Sequence, residues 1–228
     1  MSERIKETIA FFKNHFFEFS PLFILFSFPT VIFPVLMSNS SDGQPSAFAP
    51  MLVALIMVLV SLLSLGVISF RLRAILEKSD VSFSDELGKT FRKLPALFIS
   101  MVLCMLAVIA GLILLVLPGL YIMLRLSLTC YFILFDNLGA VAAMKESFRK
   151  TKAIQWELLG ALIFLMLPVM LLQSGFVVAF EGMNPDAFIP AEAVVQTLLA
   201  PLSALGWIVT LRYYDIVNST YIKSQANE

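Results

Sequence analysis

Charge, histidine and cysteine are all scarce in this chain. Only 14% of its 228 residues are charged, 59% are hydrophobic, and it holds one histidine and two cysteines. Soluble domains carry about 25% charged and roughly 45–50% apolar residues. A water-soluble core is therefore excluded, and lipid must be the solvent for much of the surface. His15 has no ligand partner nearby in sequence, and no Cys/His spacing suggests zinc. Cys104 and Cys130 fall inside apolar runs and read as reduced packing residues. A Walker loop, a dinucleotide fingerprint and an HExxH helix are all missing. The acids Glu181, Asp186 and Glu192 cluster in sequence without a partner base, nucleophile or metal spacing, which makes them a solvated loop. These absences leave no catalytic residue, cofactor or metal to assign, and the chain reads as non-enzymatic. A cleavable signal peptide is also missing, because residues 1–19 carry charges throughout. The first span is expected to serve as an uncleaved insertion signal.

What the chain does have is long apolar runs. About 20 such residues cross the hydrocarbon core as a helix, and runs of that kind fall at 20–37, 50–71, 95–117, 119–136, 158–180 and 191–213. The third and fourth form a nearly continuous stretch. As one straight helix it would reach roughly 60 Å, about twice the core. Pro118-Gly119 lies near its middle and predicts a tight hairpin. The links then alternate in character. Residues 38–49 and 181–190 lack Lys and Arg, whereas the other links and the span ends that adjoin them collect fifteen of the sixteen basic residues. The sixteenth, Arg125, sits inside an apolar run. By the positive-inside rule the basic links and both termini face the cytoplasm.

The basic segments have helical rhythm. Phe83, Leu87, Phe91 and Leu94 share one face, with Pro95 marking the boundary to the next span; Leu138, Val141, Met144 and Phe148 share another, and Ile5, Ile9, Phe12 and Phe16 a third. An apolar stripe flanked by Lys and Arg marks a helix lying in the membrane interface; packing on neighbouring protein is the alternative. KTFRK at 89–93 and ESFRK at 146–150 lie 57 residues apart, and ETIAFFK at 7–13 is a weaker copy. GVISFR at 66–71, GLYIMLR at 119–125 and GWIVTLR at 206–212 each run from Gly to Arg. The expected fold is thus an all-α integral membrane protein, 1–228 as one transmembrane domain. It has six spans and three interfacial helices in parallel repeats of about 1–73, 74–136 and 137–217, followed by a tail at 218–228.

Arg125 lies six residues after the turn, about 9 Å along the helix. Arginine at the centre of a span costs from about 2.5 to more than 10 kcal/mol. It therefore anchors an anionic group such as a lipid phosphate, snorkels outward, or pairs with an internal acid or carbonyl. Arg71 and Arg212 mark the ends of spans, and Arg92, Lys93, Arg149 and Lys150 sit beside them. Attraction to anionic headgroups accounts for these cations better than nucleic acid does. Prolines 29, 34, 168 and 201 interrupt spans and can kink them. Gln173, Ser174 and Gln196 are candidates for hydrogen bonds between helices, and Ala107 with Gly111 for close helix approach.

Residues 117–164 carry Pro118, Gly119, Asp136, Ala143, Ser147, Arg149, Thr151 and Trp156. This stretch resembles the YciC-type family of bacterial multipass inner-membrane proteins and, more distantly, the membrane domain attached to some glycerophosphodiester phosphodiesterases. The phosphodiesterase catalytic domain has no counterpart here. The resemblance implies an inner-membrane protein and supplies no catalytic residues. The expected function is engagement of membrane lipids, partner membrane proteins or further copies of the chain, without nucleic acid. The alternative is a small transporter or channel for an anionic or amphipathic solute, motivated by kinked spans around one embedded cation.

Overall fold

The computed structural model describes residues 2–38, 48–79, 81–180 and 194–225. All regular structure in them is helical: α1 (Ser2–Ser38), α2 (Phe48–Glu77), α3 (Phe83–Leu114), α4 (Val116–Leu126), α5 (Thr129–Phe135), α6 (Ala140–Lys150), α7 (Gln155–Phe180) and α8 (Ala204–Gln225), with 3-10 turns at Thr151–Ala153 and Ala200–Ser203. Among the described residues, five stretches are long and apolar enough to cross a membrane: Met51–Glu77, Phe83–Leu114, Val116–Phe135, Gln155–Phe176 and Val194–Ser219. Helices satisfy every backbone group within one segment, which hydrocarbon demands. The chain is accordingly a multipass membrane protein. The predicted first span, 20–37, is helical within α1, but its side chains from residue 28 lie outside the described residues, as do Asp42, Glu181, Asp186 and Glu192.

Three predicted boundaries move. Pro95 ends nothing, since α3 runs through it as one helix of 32 residues, and the expected interfacial segment 83–94 is its first three turns. Proline removes a single N–H, and the helical ladder resumes on either side. The hairpin turn is not at Pro118-Gly119 either. The chain reverses at Leu115, the one extended residue between α3 and α4. Pro118 and Gly119 fall in the first turn of α4, where a missing N–H costs no internal hydrogen bond. The fourth span is broken at Ser127-Leu128 into α4 and α5.

Glycine makes the hairpin tight. A Cβ on Gly111 would lie 2.8 Å from the Cα of Gly119, and one on Gly119 would lie 2.9 Å from the backbone N of Leu112. The two helices therefore touch backbone to backbone at the tip, as the expected small-residue contact at Gly111 requires. At the other end of the hairpin, Lys93 Nζ donates to the Ile133 carbonyl at 3.1 Å and to Asn137 Oδ1. Asn137, at φ 56°, turns the chain from α5 towards α6.

The core lies where α1, α2, α5 and α8 meet. Phe19, Leu72, Leu128, Tyr131, Phe132 and Ile208 are nearly sealed from solvent there. Tyr131 ties α5 to α8 through Thr210 Oγ1 at 2.7 Å. Ser174 bonds its own helix, at the Leu171 carbonyl, rather than a neighbour.

The three basic helical segments are realised differently. The N-terminal one bends away from its span at His15, whose φ and ψ of −114° and 15° are not helical. The second is continuous with α3, and the third, α6, stands alone against α3, α4 and α5. The predicted stripes on the second and third meet the core only at Leu94 and Leu138. Phe83, Leu87 and Phe91 are exposed, as are Val141 and Phe148. The buried sides are Glu86 with Thr90 on one helix and Ala143 with Ser147 on the other.

Candidate functional site

Each of the three span-terminal arginines reaches toward one of these helical segments, with different results. Arg71, on α2, places Nε 3.1 Å from Oε1 of the fully buried Glu86 on α3. Arg212, on α8, donates through Nη1 to Glu7 Oε2 at 2.8 Å and lies 5.8 Å from the Phe11 ring on α1. Arg125, in the last turn of α4, meets no acid among the described residues. Its guanidinium carbon sits 4.2 Å over the Phe148 ring of α6 and 5.3 Å from Tyr121. The Ser147 hydroxyl donates to the Arg125 carbonyl at 2.8 Å and fixes α6 against this end of α4.

Arg125 is only 5% exposed, so it does not snorkel. Its Nε and Nη1 are buried without a hydrogen-bond acceptor. Aromatic faces attract a guanidinium, but they do not accept its N–H bonds as an oxygen does. A buried charged donor left unmade is costly, at least about 1–3 kcal/mol.

Arg125 lines an open groove of about 800 Å³ between α3, α4 and α6. Its apolar wall includes Leu103, Ala107, Ile122, Val141 and Met144, and its other cations are Lys145, Arg149 and Lys152. Arg149 is held through Nη2 by both oxygens of Glu146 at 2.8 Å. Among the described residues Lys145 and Lys152 have no carboxylate within ion-pair distance. The site therefore combines an apolar trough with an excess of positive charge, the chemistry that suits an amphipathic anion.

The other predicted contacts do not converge here. Arg92 and Lys93 line a separate cleft of about 480 Å³ with Arg73, Lys89, Glu77 and Glu86. Lys150 donates to Asn218 Oδ1 at 2.9 Å and lies 5.0 Å from the Phe132 ring, a strut between α6 and α8. Of the motif residues, Asp136 accepts from the Tyr214 hydroxyl at 2.9 Å, Ser147 and Thr151 are buried, and Trp156 is 72% exposed. Pro118 and Gly119 lie at the far tip of the hairpin. Of the partners that separate a neutralised arginine from an unneutralised one, Glu86 was not singled out in the sequence, and Phe148 was read only as part of an apolar stripe. No family model, curated protein or solved structure matches the chain.

Proposed function

We propose that the chain is a non-enzymatic protein of a bacterial inner membrane, with both termini cytoplasmic, that holds an anionic lipid headgroup in the groove beside Arg125. One observation carries this reading: a guanidinium 95% buried, with two nitrogens lacking acceptors, at the wall of a groove that is otherwise apolar and cationic. A lipid satisfies both halves of that surface. Its headgroup oxygens accept from Arg125 and offset the Lys145 and Lys152 charges, and its chains cover Leu103, Ala107 and Val141. Arginine and oxyanions form strong charge-assisted pairs, and they are strongest where water is excluded.

Six spans in three units, and kinship with the YciC-type family, belong to the same proposal. The repeated Gly-to-Arg strings support it, because Arg71, Arg125 and Arg212 each turn to a basic helical segment. The buried side chains where α2, α5 and α8 meet, Leu72, Tyr131, Phe132 and Ile208 among them, favour a lipid-holding role over a solute pathway there. Native mass spectrometry after mild detergent extraction tests the reading. An anionic phospholipid is expected on the wild-type protein and is expected to be lost from Arg125→Gln, with folding verified by melting. A wild type that carries no lipid, or an Arg125→Gln variant that carries it unchanged, overturns the proposal.

A further inference from the structure

We propose that the cleft between α2, α3 and α5 is a second anion site, separate from the Arg125 groove, that takes a phosphate monoester on Lys89, Arg92 and Lys93. The cleft and the groove share no lining residue. The cleft measures about 480 Å³, and its charged lining is Arg73 and Glu77 on α2 with Glu86, Lys89, Arg92 and Lys93 on α3. From α5 and the turn after it come only the neutral Leu134, Phe135 and Asn137. Both acids are already engaged. Arg73 Nε donates to Glu77 Oε1 at 2.7 Å, and Arg71 Nε lies 3.1 Å from Glu86 Oε1. Among the described residues, Lys89, Arg92 and Lys93 have no carboxylate within ion-pair distance.

The spacing of these three cations, i, i+3 and i+4, sets them on one face of α3. Lys93 is fixed in advance. Its Nζ donates to the Ile133 carbonyl at 3.1 Å and to Asn137 Oδ1. An ammonium has three N–H donors, so one is left over, and two neutral acceptors leave the charge uncompensated. A donor that is already ordered costs little to engage. Lys89 and Arg92 are exposed and complete the wall. Charge then selects the ligand. A phosphate monoester carries about −1.5 to −2 at pH 7 and three terminal oxygens, whereas a phosphodiester carries a single charge and one terminal oxygen fewer. Three unneutralised cations match the monoester better. The monoester is carried either by a water-soluble compound or by a lipid whose headgroup is a bare phosphate.

The test titrates the full chain in detergent with phosphatidic acid, phosphatidylglycerol and glycerol 3-phosphate, reading bound ligand by native mass spectrometry and stability by melting. Lys89→Gln with Arg92→Gln changes two exposed side chains, and its melt without ligand verifies the fold. The wild type should hold one phosphatidic acid more than this double variant, and the two should hold equal phosphatidylglycerol. That difference should weaken about tenfold between pH 7 and pH 5, because the second phosphate pKa is near 6. Protonating Glu77 or Glu86 would strengthen anion binding instead, so the sign separates ligand from protein. A melting temperature raised by glycerol 3-phosphate in the wild type alone assigns the site to a soluble monoester. Extra phosphatidic acid without that response assigns it to the lipid. If the two proteins hold equal phosphatidic acid and neither responds to glycerol 3-phosphate, the proposal is overturned. An equal loss of phosphatidylglycerol, or a difference unchanged at pH 5, overturns the choice of a monoester. The comparison turns on Lys89 and Arg92 alone, so failure of the Arg125 site would leave it standing.

Discussion

Removing Arg71 should cost far more than removing its partner, and the reason lies in unequal burial. Glu86 is fully buried, whereas the Arg71 side chain keeps 27% of its exposure. Neither Glu86 oxygen receives a well-directed hydrogen bond, so the charge of Arg71 at 3.1 Å is its principal compensation. Breaking a buried pair from one side typically costs about 3–5 kcal/mol, because an uncompensated charge is left behind. Arg71→Ala strands a carboxylate that is fully buried in the native packing, and about 3 kcal/mol is expected. Glu86→Ala leaves a guanidinium that is already partly solvated and can turn outward, so about 1–1.5 kcal/mol is expected, nearer to an exposed pair. At about 2–4 °C per kcal/mol for a chain of this size, Arg71→Ala should melt about 6–12 °C below wild type. The double replacement Arg71→Met with Glu86→Met removes both charges and refills the space, and should fall within about 1 kcal/mol of wild type. Differential scanning fluorimetry in one detergent, without added lipid, measures all four proteins. Arg71→Ala within 2 °C of wild type, at about the 1 kcal/mol level of a surface change, or less damaging than Glu86→Ala, would refute this account of the pair. So would simple additivity of the two losses in the double variant, because contacting charges should couple by about 0.5–3 kcal/mol.

Other consequences are equally direct. Gly119→Ala places a Cβ 2.9 Å from the backbone N of Leu112 and should destabilise the α3–α4 hairpin by about 1–3 kcal/mol, visible as a lower melting temperature; an unchanged melt would mean the helices stand further apart. Tyr131→Phe loses a buried contact to Thr210 and should cost about 1 kcal/mol, whereas Tyr214→Phe loses a bond to the exposed Asp136 and should cost roughly 0.5 kcal/mol. A reversed order in chemical denaturation would contradict the burial assignment. For sidedness, the exposed positions of Gly88→Cys and Ala142→Cys should react with a membrane-impermeant maleimide only after cells are opened, and Gly43→Cys should react in intact cells. The opposite pattern would invert the topology.

The helices were legible in the sequence because hydropathy dominates it, and a run of about 20 apolar residues has few alternatives in lipid. Their ends were less legible. Pro95 and Pro118 read as punctuation, yet a proline subtracts only one donor, and its effect depends on where that donor falls. At Pro95 the helix passes through, and at Pro118 the donor belongs to the unbonded first turn of α4. The actual reversal, Leu115, lies in the apolar string LILLVL and carries no local signal. It is set by Gly111 and Gly119, which let two backbones meet. Periodicity found the stripes at Phe83 and Val141 but not which side they face. That is decided by what packs behind them: Gly66, where an added Cβ would collide with the Thr90 side chain, and the Arg125 carbonyl, which receives the Ser147 hydroxyl.

The same distinction separates the three arginines. Sequence identified Arg125 as anomalous because its desolvation cost is high wherever its neighbours lie. It could not supply the neighbours. Phe148 is 23 residues away and meets the guanidinium only because α6 folds back on the hairpin. Arg71 and Arg212 read as anchors at the ends of spans, but each is held by an acid from another helix, Glu86 or Glu7. An arginine with an acid of its own has its charge compensated within the chain, even though Nε of Arg71 and of Arg212 makes no hydrogen bond. An arginine enclosed by a phenylalanine, a tyrosine and a hydroxyl that bonds only its backbone carbonyl remains charged and unanswered. The same fold thus builds two closed ion pairs and one open position. The open one lies beside Lys145 and Lys152 in an apolar trough, and the proposed lipid headgroup is the counter-charge that this combination of surfaces would accept.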